Sequence, residues 1–170
     1  LNRAALGERL GLDLAADTPL RGMISRITLQ KGADLVIEAA PTLVARGARL
    51  AVLGSGDAAM ERGWRELSSA HPGRIAVQIG FDEGLSHQIE AGVDSFVMPS
   101  RFEPSGLNQM YSQRYGTPPI VHATGGLRDS VVDCTPETLK KRTATGFMFA
   151  PLSRDTLLKT CQRAVTAYHD

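Results

Sequence analysis

Two cations five residues apart, Arg26 and Lys31, bracket the segment Ser25-Arg26-Ile27-Thr28-Leu29-Gln30-Lys31-Gly32. The residues before it read as a strand and those after it as a helix, so the pair flanks a strand-to-helix turn. Backbone N–H groups and the helix dipole at such a turn already favour an anion. A diphosphate suits the arrangement, with Arg26 gripping two oxygens and Lys31 acting as a point charge. The same two residues are also compatible with solvated surface charges, the commoner state of Lys and Arg.

A second group follows a later apolar run: Pro99-Ser100-Arg101-Phe102-Glu103-Pro104-Ser105-Gly106-Leu107. Pro104 stops the strand, and Ser105 and Gly106 are expected to open a helix whose free N–H groups point over the sheet edge. Glu103 beside them suits hydrogen bonds from sugar hydroxyls while the amides take phosphate; it also fits a favourable charge near a helix N-terminus. Thr124-Gly125-Gly126-Leu127 forms a glycine-rich turn that lets backbone approach a ligand closely. Phe81, in Gly80-Phe81-Asp82, either stacks on a base or belongs to the core.

Gly54-Ser55-Gly56-Asp57-Ala58-Ala59 matches the dinucleotide pattern G-x-G-x-x-A. The next strand, however, ends in Gln78-Ile79-Gly80 and lacks the acid that would hold a ribose. A tight turn is the better reading. Cys134 and Cys161, the two cysteines, and the four histidines show no metal-site spacing.

The elements that must position these residues follow from apolar periodicity. Strands are expected at 21–27, 50–53, 75–79, 95–98, 119–122 and 146–149. Helices are expected at 32–45, 57–70, 83–91, 105–115 and 154–168, with a weak one at 127–132 and an irregular loop at 134–145. Strands alternating with helices imply a Rossmann-like α/β fold, a parallel sheet covered on both faces. Ligands of such folds bind beyond the carboxyl ends of the strands, where all the candidate residues lie.

With 170 residues, 19 Lys plus Arg against 18 Asp plus Glu, and a net charge of +1, nothing points to nucleic acid or an anionic membrane as partner. No apolar run reaches membrane-span length and no signal-peptide core is evident, which leads to the expectation of a cytoplasmic protein with free thiols.

The segments SRITLQKGADLVIEA, LAVLGSGD, VQIGFDEGLSHQI, PSRFEPSGLNQMYSQRYGTPPIV and TGGLRDSVVD together resemble the C-terminal domain of bacterial glycogen synthases and plant starch synthases. These are retaining glucosyltransferases of the GT-B fold, two Rossmann-like domains facing each other. The resemblance implies that residues 1–170 are a single C-terminal nucleotide-sugar-binding domain, with 1–20 a leading segment, 21–170 the core, and the N-terminal acceptor domain absent. It implies ADP-glucose or ADP as partner and an α-1,4-glucan held through that other domain.

By the same resemblance Arg26 and Lys31 match the basic pair on the donor diphosphate, and Glu103 the acid on the donor glucose. Ser105, Gly106, Leu107 and Asn108 correspond to the turn approaching diphosphate and sugar. Thr124 and Gly125 match the phosphate turn, and Phe81 a position near the base. Tyr111 falls where many related transferases carry a second Glu for the ribose. Leu29 stands for a common Trp, Ser105 for a common Cys, and His122-Ala123 for a pair that is often basic. No cofactor is implied and no Asp-x-Asp metal motif is present; Arg26 and Lys31 are expected to stabilise the departing diphosphate instead.

Overall fold

Apolar runs of three to six residues become the strands of a single sheet, and the amphipathic stretches between them become helices that cover it. The computed structural model describes residues 1–170. In chain order the elements are α1 (Asn2–Leu10), β1 (Leu20–Ile24), α2 (Ala33–Ala45), β2 (Arg49–Gly54), α3 (Ala58–Ala70), β3 (Ile75–Ile79) and α4 (Glu83–Gly92). Next come β4 (Ser95–Met98), α5 (Asn108–Arg114), β5 (Pro119–His122), α6 (Gly125–Ser130), α7 (Pro136–Lys141), β6 (Phe147–Phe149) and α8 (Arg154–His169).

All five pairings are parallel, in the order β3-β2-β1-β4-β5-β6. The chain winds outward one way from β1 to β3, then returns to β4 and winds the other way. The loops after β1 and β4 therefore diverge to opposite faces and leave a crevice between them, where ligands of such sheets bind. That topology places the Arg26–Lys31 loop beside the Glu103 loop.

One face of the sheet packs on α2, α3 and α8 through residues such as Val36, Leu43, Trp64, Leu157 and Cys161. The opposite face packs on α1 and α4 through Leu6, Leu85 and Ile89, and on α6 through Leu127 against Phe96 and Val121. Trp64 is wholly buried; deleting such a ring costs roughly 3–5 kcal/mol in a close-packed core. Caps fix where helices begin: Asp57 accepts from the Met60 N–H, Asp82 from Leu85, and Ser153 from Thr156.

Four expectations are corrected. The leading segment 1–20 contains α1, which buries Leu6 against α4. The first strand ends at Ile24 instead of residue 27, because the chain turns to bring Ile27 alongside Gly56 in an isolated bridge. The stretch 134–145 is not wholly irregular: Thr135 and Thr138 form a reciprocal cap with Pro136 at the first helical position, and α7 follows. The helix expected from Ser105 begins at Asn108, because Gly106 takes a left-handed φ of 68° that no right-handed helix accepts. The two glycines of the rejected fingerprint have a packing reason. A Cβ at Gly54 would lie 1.9 Å from the Ser25 carbonyl oxygen, and one at Gly56 would lie 2.4 Å from that of Ile27.

Candidate functional site

Lys31 and Glu103 meet at the crevice between β1 and β4. Lys31 Nζ donates to Glu103 Oε2 at 2.6 Å, and the Ser100 hydroxyl lies 3.3 Å from the same oxygen. The Glu103 side chain is 8% exposed and that of Lys31 19%, so the pair is largely withdrawn from water. Beside it opens a cavity of about 180 Å³ whose wall includes Ser25, Arg26, Lys31, Met98, Ser100 and Asn108. Arg26 is exposed and belongs to none of the chain's ion pairs. A positive group with no internal partner, lining the cavity beside Lys31, is available to an anion.

The two loops are locked together from several directions. The Arg101 N–H donates to the Gln30 carbonyl at 2.8 Å. Its guanidinium takes both carboxylate oxygens of Asp34 at 2.7 Å each, a bidentate bond that ties the β4 loop to the first turn of α2. Arg101 holds the Asp34 carboxyl below the usual carboxylate range, chiefly through that hydrogen bond. Asn108 Nδ2 donates to the Ile24 carbonyl at 2.8 Å, pinning the start of α5 to the end of β1. Gly32 lets α2 begin close to β4: with φ of 74°, its Cβ would stand 2.1 Å from the Pro99 carbonyl oxygen.

From the third side comes the turn after β5. The Gly126 N–H donates to the Glu103 carbonyl at 2.9 Å. Gly125 and Gly126 leave room for the loop 103–105: a Cβ on either would come within 2.3 Å of its backbone. His122 Nδ1–H donates to the Ser100 carbonyl at 2.6 Å, so this histidine supports the β4 loop from β5.

The structure thus brings Arg26, Lys31, Glu103, Asn108, Thr124 and Gly125 into one neighbourhood, with Ser105 and Gly106 on the loop between. Leu107 and Tyr111, at the start of α5, are 56% and 48% exposed. Phe81 is not among them. It follows the edge strand β3, two strands from the crevice, and is 88% exposed, so it does not belong to the core. Sequence reasoning gave no role to Ser100 or to the Asp34–Arg101 pair. Ser100 carried a usable signal, since it stands at the end of a strand three residues before Glu103; Asp34 and Arg101 are 67 residues apart and carried none.

Residues 11–166 match the family described as Glycosyl transferases group 1. The chain belongs to that family. It is 54% identical over 169 residues to a glycogen synthase of Nitrosomonas eutropha, covering 99% of this chain and 34% of the relative. It is 56% identical over 169 residues to a glycogen synthase of Aromatoleum aromaticum, with 99% and 34% covered. The chain thus spans about a third of the length of the curated relatives it matches. Among solved structures, the catalytic domain of starch synthase IV from Arabidopsis thaliana, bound to ADP and acarbose, superposes with a TM-score of 0.90. The identity is 34%, and 98% of this chain and 35% of that one are covered. An Anabaena protein, HepE, in complex with UDP and glucose shares the fold at a TM-score of 0.75 and 18% identity, covering 99% and 43%. The sheet is the Rossmann-like half of a GT-B glycosyltransferase.

Proposed function

We propose that this chain is the donor-binding domain of a glycogen synthase, part of a retaining glucosyltransferase that moves glucose from ADP-glucose to the non-reducing end of an α-1,4-glucan. The observation that carries this reading is the convergence of Arg26, Lys31 and Glu103 at the switch-point crevice, in a chain that matches glycogen synthases over nearly its full length. The protein works in the cytoplasm in glycogen biosynthesis.

In this reading Arg26 grips the diphosphate and Lys31 leaves Glu103 to join it. The exchange replaces one charge-assisted hydrogen bond with another, so recruiting Lys31 is inexpensive. It also frees the Glu103 carboxylate to accept hydrogen bonds from donor-glucose hydroxyls, which orients the sugar. As the glucosyl–oxygen bond breaks, negative charge grows on the departing diphosphate, and the two cations gathered on it stabilise it most at that moment. No metal is needed for this electrostatic work. Glu103 positions the sugar and need not form a covalent bond. The glucan and further catalytic groups come from a facing domain, so the 170-residue chain binds donor but does not elongate glycogen.

Isothermal titration of the chain with ADP and with UDP, repeated on Lys31→Ala, tests the reading. Saturable ADP binding that is tighter than UDP binding and weakened in the variant is expected. Equal and Lys31-independent heats for both nucleotides would remove the basis for it.

A further inference from the structure

Arg21 occupies a core position. Along β1 the side chains alternate: Leu20 packs with α1 and α4, while Met23 packs with α2 and α8. Arg21 shares the face of Met23, where periodicity calls for an apolar residue, and it is 3% exposed. Its Nη1 donates to the Ser95 hydroxyl at 2.5 Å and its Nη2 to the Cys161 carbonyl at 2.7 Å. Its buried Nε–H has no acceptor, and no carboxylate pairs with it. A guanidinium cannot shed its proton to escape this situation. Burial of an unpaired charge is among the least favourable arrangements in a folded protein.

A cavity of about 490 Å³ opens beside Arg21 at the amino ends of β1, β4 and β5, the sheet edge opposite the Lys31–Glu103 crevice. Its volume falls within the roughly 300–1,000 Å³ of small-molecule sites. Pro19, Pro118, Phe147, Val165 and Tyr168 supply apolar wall. The carboxylate of Asp94, also on the wall, pairs with Arg3 and not with Arg21: its Oδ2 accepts from Arg3 at 2.7 Å and from the Leu20 N–H at 2.7 Å. Within the cavity the cation is therefore short of an acceptor.

We infer that this cavity is a second ligand site, for a small organic carboxylate whose charge pairs with the Arg21 guanidinium lining it and whose apolar body fills the space under α8. It is independent of the donor crevice, and binding there involves no chemistry.

Benzoate tests the charge and the apolar body together, with benzyl alcohol and acetate as probes lacking one or the other. Added to the 170-residue chain at millimolar concentration, benzoate is expected to raise the thermal midpoint, and both comparison compounds to bind at least tenfold more weakly. Arg21→Met should unfold cooperatively and lose benzoate at least tenfold. Ala144→Trp, which fills the cavity from its loop while leaving Arg21 in place, should lose it as well. Absence of benzoate binding to the unaltered chain overturns the inference. So does undiminished binding to both variants, or benzyl alcohol binding as tightly as benzoate.

Discussion

Lys31 and Glu103, 72 residues apart in sequence, form an ion pair at 2.6 Å that joins the loops on either side of the sheet's switch point. Each is the other's main partner, so removing one exposes the cost of burying the other. Lys31→Ala leaves the Glu103 carboxylate 8% exposed with only the Ser100 hydroxyl nearby. The expected loss is about 2–3 kcal/mol in urea unfolding. ADP affinity should fall at least tenfold, as for a lost charge-assisted bond. Adding Glu103→Gln should recover much of the stability and none of the ADP affinity; recovery of both would show that Lys31 acts only through the fold.

Arg101 and Asp34 make the site's acid-sensitive tie. The folded Asp34 pKa lies below its ordinary 3.8. The pair therefore stabilises the fold fully above the unfolded value, and the contribution fades as pH falls through the folded one. With side chains 39% and 32% exposed, it is worth under about 1 kcal/mol. Asp34→Asn should be less stable than the unaltered chain at pH 6 and indistinguishable from it well below pH 3. Chemical denaturation at the two pH values measures the difference, and an equal gap at both would contradict the assignment.

Glu90 behaves oppositely. It is 2% exposed, and burial pushes its carboxyl above the ordinary 4.5, with His87 partly opposing. Between the unfolded and the raised folded pKa the native state holds the extra proton, so stability declines as pH rises through that window. Glu90→Gln, neutral throughout, should gain stability relative to the unaltered chain as pH goes from 4 to 7. A relative loss over that range would reverse the sign and refute the account.

Gly32 and Gly47 separate strain from collision. Both have positive φ, 74° and 93°, but a Cβ at Gly32 would meet the Pro99 carbonyl at 2.1 Å while one at Gly47 meets nothing within 4 Å. Gly47→Ala should cost about 1 kcal/mol for the backbone conformation alone. Gly32→Ala should cost ~3 kcal/mol or more and weaken ADP binding, because α2 must move away from β4. Equal costs in thermal unfolding would mean that the close approach at Gly32 is unimportant.

Period-two and helical repeats in the chain fixed most strands and helices, since a side chain's burial is decided by local alternation once a core exists. Gly-rich turns and cations at strand ends also marked the region of the site, because open parallel sheets form their switch-point crevice beyond the carboxyl ends of the strands. α1 escaped because its two buried residues, Leu6 and Gly7, make too faint a stripe. α7 escaped because none of its residues is buried, so only its cap announces it.

Which strand ends become neighbours is a different matter. Nothing within residues 26–31 or 100–108 encodes that β1 lies beside β4; the order follows from how the helices divide between the two faces of the sheet. Phe81 sits just past a strand as Lys31 and Glu103 do, yet β3 is the edge strand, so Phe81 stands two strands from the β1–β4 crevice. Arg21 likewise looked like an ordinary first residue of a strand, and only the packing of α8 over β1 turned it into a buried cation with no carboxylate partner and an unpaired Nε–H. Local sequence sets what each segment can be, and long-range packing alone decides which side chains meet.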